Sequence, residues 1–165
     1  MPVWTTMNDL ATGDLVTEAD MDAIRGNIEY LLDPSKARVL RDNSGNYTTT
    51  STAFVDVDAA NLAVTLTTNG GPVLVSASGV ARNTSSSDAT CFDVAVDGTR
   101  VGDGFGQGLV RVTGTTYANM SFAVLVTGLA AGSHTFKLQW SVTAGTGDLI
   151  SQSGKTPVQL TAIEL

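Results

Sequence analysis

The chain has 165 residues, 42% of them hydrophobic and only 15% charged, so it is neither a disordered chain nor a charge-rich coiled coil. Nine Lys and Arg stand against sixteen Asp and Glu, and the net charge of -7 has the wrong sign for a phosphate-binding surface. One Cys and one His exclude an intrachain disulfide and a Cys/His zinc site within one chain, while the length suits one ordinary domain with its own core.

The first ten residues, MPVWTTMNDL, lack the basic start and apolar run of a signal peptide. The expectation is therefore synthesis and release in the cytoplasm. No stretch approaches about 18 consecutive apolar residues, so membrane insertion is not expected. Residues 14 to 33 read DLVTEADMDAIRGNIEYLLD and predict a helix over roughly residues 18 to 32. Thr17 and Asp20 resemble a capping box, with Asp in place of Glu. Glu18 and Asp20 suit the positive end of the helix dipole. Pro34 gives the stop, because it disfavours helical geometry at Asp33. Met21, Ile24, Ile28 and Leu31 follow at the 3-4-3 spacing of a coiled-coil seam. Gly26 falls on the other face. Such a helix is marginal in water when alone. Its spacing fits two arrangements, an amphipathic helix packed on its own domain or a short bundle at the axis of an oligomer.

From about residue 47 onward the pattern is β. About eight strands are expected, near 52–57, 61–68, 72–81, 90–97, 108–113, 118–127, 133–143 and 157–165. Phe136, Leu138, Trp140 and Val142 alternate with Lys137, Gln139 and Ser141. Phe92, Val94 and Val96 alternate with Cys91 and Asp93, and Asp97-Gly98 is a turn signal. Leu62, Val64 and Leu66 repeat the pattern, as do Val158 and Leu160. In residues 118–126, Met120, Phe122, Val124 and Val126 share one face, but Ala123 and Leu125 make the other partly apolar. Residues 72–81 also carry apolar side chains on both faces. Strands that are apolar on both sides are buried on both sides, and a neighbouring subunit is the simplest cover for the outer one. Short strands at regular spacing predict a mainly β fold, an antiparallel sandwich of the jelly-roll kind preceded by one short helix. The domain expectation is a docking segment and helix over 1–35 and a sandwich over 36–165.

Chemistry-bearing residues are sparse. GDGFGQG, residues 102–108, lacks the G-K-[ST] ending of a P-loop and lies between strands, which makes it a loop or bulge. Asp56, Asp58, Asp93, Asp97 and Asp103 could supply oxygen ligands to Ca²⁺, without any EF-hand spacing. His134 starts a strand, and Cys91 sits within one as a small packing residue. No nucleophile elbow is present. No cofactor, metal or catalytic residue is therefore expected.

The block VWTTMNDLATGDLVTEADMDAIRGNIEYLLD resembles a motif of phage and prophage virion structural proteins. The matching elements are Trp4, Thr5, Gly13, Asp14, Leu15, Val16, Thr17, Asn27, Tyr30 and Leu31, with Met21-Asp22 as a departure. AGSHTFKLQWSV, residues 131–142, and VQLTAIEL, residues 158–165, resemble the small jelly-roll heads of tail fibres and spikes. Those heads are similar in shape to the trimeric tumour-necrosis-factor and C1q families. The resemblance implies a homotrimer, located in the virion and docked to other virion proteins through the N-terminal segment. Met21, Ile24, Ile28, Leu31, Met120, Phe122 and Val124 are then the expected trimer-interface residues.

The loops around 82–90, 98–108 and 144–156 are where a host-surface glycan or protein would be met. Exposed aromatics and amides suit a sugar, which singles out Asn83, Phe105, Gln107 and Tyr117 as ligand-binding candidates. A fibre or spike appendage that attaches to a host is the leading expectation. A capsid decoration protein and a cellular trimeric binding module of the tumour-necrosis-factor and C1q kind are the alternatives, and a small glycan hydrolase is a further one.

Overall fold

The computed structural model describes residues 15–32, 34–42, 45–102, 106–152 and 156–165. Helix α1 spans Glu18–Leu32. Its start is a capping box. The Thr17 hydroxyl oxygen accepts from the Asp20 N–H at 3.2 Å, and Asp20 Oδ2 accepts from the Thr17 N–H at 2.9 Å. The Thr17 hydroxyl also donates to Asp20 Oδ2 at 2.6 Å, and that bond, then the Thr17 N–H, hold the Asp20 carboxyl below its ordinary range.

Twelve strands follow among the described residues: β1 (Lys36–Arg41), β2 (Gly45–Thr49), β3 (Val55–Asp56), β4 (Ala63–Asn69), β5 (Val73–Asn83), β6 (Ala89–Val96), β7 (Thr99–Arg100), β8 (Val110–Thr113), β9 (Ala118–Val126), β10 (Ala131–Val142), β11 (Gly147–Ser151) and β12 (Val158–Glu164). They form two six-stranded antiparallel sheets. The first runs β1-β12-β5-β11-β2, with β9 on the remaining edge of β5. β5 is long enough to pair β12 along Val73–Ser78 and β11 along Val80–Asn83. The second has β10 between β6 and the β3 and β4 pair, with β7 and β8 outside β6. The chain crosses between sheets at β2 to β3, β4 to β5, β5 to β6, β8 to β9, β9 to β10 and β10 to β11. The fold is a jelly-roll sandwich.

Inward positions follow the period-two alternation. Phe92, Val94, Phe136, Leu138 and Trp140 of the second sheet face Val73, Val75, Leu149, Val158 and Leu160 of the first. The Trp140 and Phe92 rings pack with centroids 6.0 Å apart. Glu164 is buried at the rim, where Oε1 accepts the Asn69 and Gly71 N–H groups at 2.7 and 3.0 Å. This ties the last strand to the β4–β5 turn.

Four strands fall outside the eight expected: β1, β2, the two-residue β7 and β11. β1, KARVLR, hides only Ala37 and Val39 between charges, a weak apolar signal for a strand. β11, GDLIS, lies within the 144–156 stretch expected to be a loop. Its partners on both sides, β5 and β2, override the turn preference of its Gly and Asp.

The face expected to be the strand's contribution to a trimer interface is also corrected. Met120 is fully buried in its own sandwich, and Phe122 and Val124 pack against the same core. β9 turns that face inward because its register on β5 places Met120 opposite Gly79, Phe122 opposite Ala77 and Val124 opposite Val75. These are inward positions of β5. The outward face of β9 is Asn119, Ser121, Ala123 and Leu125.

Candidate subunit interface

The outer face of the first sheet is built from rows that cross its strands. Leu74 stands between Ile163 and Leu125. Ser76 stands between Thr161 and Ala123, and Ser78 between Gln159 and Ser121. Val80 stands between Ile150 and Asn119. Within β12, β11, β5 and β9 these four rows carry no charge. Leu125 at one corner is 50% exposed. Because the middle side chains are small, the face is concave. Ser76, Ser78, Ser121, Ala123 and Gln159 line a hollow of about 400 Å³. On β1, Lys36 and Arg38 continue the rows beside Ile163 and Thr161, and Leu40 lies beside Gln159.

A polar cluster closes the other end of the face. The Tyr117 hydroxyl donates to Asp148 Oδ2 at 2.6 Å, and Arg82 Nε donates to the same oxygen at 3.2 Å. The Arg82 guanidinium lies 4.3 Å above the centre of the Tyr117 ring. The bond to Asp148 holds the Tyr117 phenol above its ordinary value. Asp148 Oδ1 is buried with no hydrogen-bond partner among the described residues.

Helix α1 adds a second apolar surface. Met21 is 52% exposed and Ile28 50% exposed, while Ile24 is half-buried. The Leu31 side chain lies outside the described residues.

The ligand-binding candidates do not come together. Asn83 is fully buried, so the expectation of an exposed loop amide is overturned. Its Nδ2 donates to the Ala144 carbonyl at 2.9 Å and its Oδ1 accepts the Ser85 N–H at 2.8 Å, which fastens two turns. Gln107 is exposed and accepts from Arg111 at 2.8 Å on the side of the second sheet. Tyr117, 38% exposed, belongs to the first sheet's outer face. Phe105 lies outside the described residues.

Gly102 and Gly108, at the ends of the glycine-rich segment, lie close against β6 of the second sheet. Arg100 reaches the fully buried Asp93, with Nη2 at 2.8 Å from Oδ2, and stacks 3.6 Å over the Phe54 ring. Gly102 donates its N–H to Asp93 Oδ1 at 3.0 Å. A Cβ at Gly102 would come within 2.8 Å of Asp93 Oδ2, and one at Gly108 within 2.5 Å of the Phe92 carbonyl oxygen. Only glycine lets the backbone approach β6 this closely. Every residue of β6 is buried. Cys91 is among them, and burial pushes its thiol up despite the Arg111 charge.

The described acidic residues are dispersed. Asp56 is held by Lys137 Nζ at 2.9 Å and Gln139 Nε2 at 2.7 Å. Asp58 caps the turn at Ala60 and Asn61 and accepts from Tyr47. Asp97 pairs His134. Among the described residues no three His, Cys, Asp or Glu converge on one point. Asp103 lies outside them. No described helix is long and apolar enough to cross a membrane.

No protein-family model and no curated protein matches the chain. Solved structures similar to it include an Eiger tumour-necrosis-factor protein from S. frugiperda, 15% identical over 81% of this chain and 94% of that chain, with a TM-score of 0.45. The vertex protein P5 of PRD1 is 11% identical over 80% of this chain and 97% of that chain, with a TM-score of 0.46. Murine APRIL is 14% identical over 81% and 100% of the two chains, with a TM-score of 0.48.

Proposed function

We propose that this chain is a non-enzymatic virion structural protein, a homotrimeric appendage of the fibre or spike type. The outer face of β12, β5 and β9, joined by Ile150 of β11 and edged by Lys36 and Arg38 of β1, is its subunit interface. The carrying observation is the uncharged, concave surface of small side chains bounded by Leu74, Ile163 and Leu125. A solvated sheet face alternates to polar and charged residues. Across β12, β11, β5 and β9 four successive rows carry no charge, which fits contact with another subunit instead. The half-exposed seam of α1 adds a second contact, since a helix of this length gains stability from packing. Three-fold closure and the virion setting are what the sequence resemblance implies. A structural role is supported by the way Asp93, Cys91 and His134 are each taken up by pairing or packing. Attachment to a host surface would fall to the loops at the ends of the sandwich, with Gln107 exposed on one of them.

Light scattering on the full chain tests the assembly. A mass near three times 17.0 kDa is expected. Leu125→Asp should lower that mass while circular dichroism shows the sandwich still folded. A monomeric full chain sinks the proposal. Binding to capsids that lack tails would replace the fibre reading with capsid decoration, and release of reducing sugar from host envelopes would replace it with an enzyme.

A further inference from the structure

The ring of His134 lies between two acceptors. Nδ1 is 2.6 Å from Asp97 Oδ2, and Nε2 is 2.9 Å from the Ala130 carbonyl oxygen. Neither acceptor donates. A carbonyl oxygen never does, and Asp97 is kept ionised because its Oδ1 accepts the Thr135 N–H at 2.8 Å. Both ring nitrogens must therefore carry a proton for both contacts to be hydrogen bonds. A neutral imidazole has one bare nitrogen, which would face an oxygen lone pair. The site matches imidazolium.

The charges around the ring are few. From the turn after β6, Asp97 supplies the carboxylate. From β4, Leu66 lies directly opposite His134, flanked by Thr65 and Thr67. From the segment before β10 comes the Ala130 carbonyl. The nearby cations are engaged elsewhere, Arg100 with Asp93 and Lys137 with Asp56.

We propose that His134 is a pH-sensitive clasp, which while doubly protonated ties the Ala130 carbonyl to the Asp97–Gly98 turn and on losing a proton drops that tie. The carboxylate is the stronger acceptor, so the remaining proton stays on Nδ1 and the bond to Ala130 is lost. The Ala130 carbonyl keeps the Thr68 hydroxyl as a donor at 3.0 Å. Opening is thus local, affecting Gly128 and the half-buried Leu129 while the β4–β10 ladder persists. Asp97 and the Ala130 carbonyl both hold the ring above its ordinary value of 6.5. A raised value in the folded state means the clasp contributes fully below pH 6.5 and is lost as pH rises through the folded value. The inference does not depend on the assembly reading.

His134 is the single histidine, so its ring resonance in the full chain is unambiguous. The experiment follows that resonance and the amide exchange of residues 127–131 from about pH 5 to about pH 9, corrected for intrinsic exchange. The expected result is a ring midpoint above 6.5, with exchange at Leu129 and Ala130 rising several-fold through the same midpoint. Asp97→Asn keeps an oxygen for the Thr135 N–H and should move both transitions down together. His134→Phe should abolish the exchange transition. A midpoint at or below 6.5, exchange that ignores the midpoint, or a transition that survives His134→Phe overturns the clasp.

Discussion

Arg100 meets Asp93 at 2.8 Å beside Gly102 of the glycine-rich segment, and Asp93 is fully enclosed. Two charges are thereby buried on the outward side of a strand, a position that normally faces water. Removing one partner strands the other charge, whereas removing both does not. Arg100→Leu is expected to lower unfolding stability by about 3–5 kcal/mol. The double variant Asp93→Ala, Arg100→Leu should lose clearly less than the sum of the two single losses. Urea unfolding of the single and double variants measures this, and strict additivity would refute the coupling.

The close approach of that segment to β6 makes a second prediction. Gly108 has φ +74°, and a Cβ there would meet the Phe92 carbonyl oxygen at 2.5 Å. Gly108→Ala should therefore destabilise the sandwich by more than about 1 kcal/mol. Gly26 in α1 has nothing within 4 Å of the same added atom. Gly26→Ala should instead favour the helix by about 1 kcal/mol, read as a gain in helical circular dichroism. Opposite signs for the two glycine substitutions are the diagnostic result.

Met120 and Leu125 lie on the same strand with opposite fates. Met120→Ala opens space in a closed core and should cost about 2–5 kcal/mol of stability. Leu125→Ala should leave the isolated sandwich's stability within about 0.5 kcal/mol, because its side chain is half-exposed. Denaturation of both variants at low concentration, where assembly contributes least, separates them.

Acid should loosen the fold through a small set of carboxylates. The Thr135 N–H and then His134 hold Asp97 below its ordinary value of 3.8. Burial pulls Asp56 up, but its bonds to Gln139 and Lys137 and the Lys137 charge outweigh that, leaving it below 3.8 as well. Asp58 is lowered likewise, with burial outweighed by Asn61, Ala60 and Tyr47. Groups lowered by folding stabilise it above their unfolded values and lose that contribution as pH falls through the folded ones. Thermal melts should be flat between about pH 5 and pH 6.5, where the carboxylates and His134 both contribute, and decline below about pH 4. Asp56→Asn should flatten the decline, since one protonation that drives it is gone.

Much of the architecture was legible because side-chain parity on a strand is local. Phe136, Leu138, Trp140 and Val142 alternate in the chain and lie together in the core. Thr17 and Asp20 marked the start of α1, because a cap is a contact over three residues. β1 and β11 were obscured by their charges, Gly and Asp, and exist because neighbouring strands accept their backbone bonds. Asn83 is polar and beside a turn, which reads as exposed. Its burial depends on Ala144, far along the chain, whose carbonyl it satisfies.

The sequence alone determined that residues 118–126 have two faces, both partly apolar, and which residues share each. It did not determine which face is the core. That choice was made by pairing, since the register of β9 on β5 sets Met120 against Gly79 and leaves Leu125 beside Leu74 on the outside. Alternation is a property of one strand's backbone, whereas inside and outside are properties of the sheet it joins.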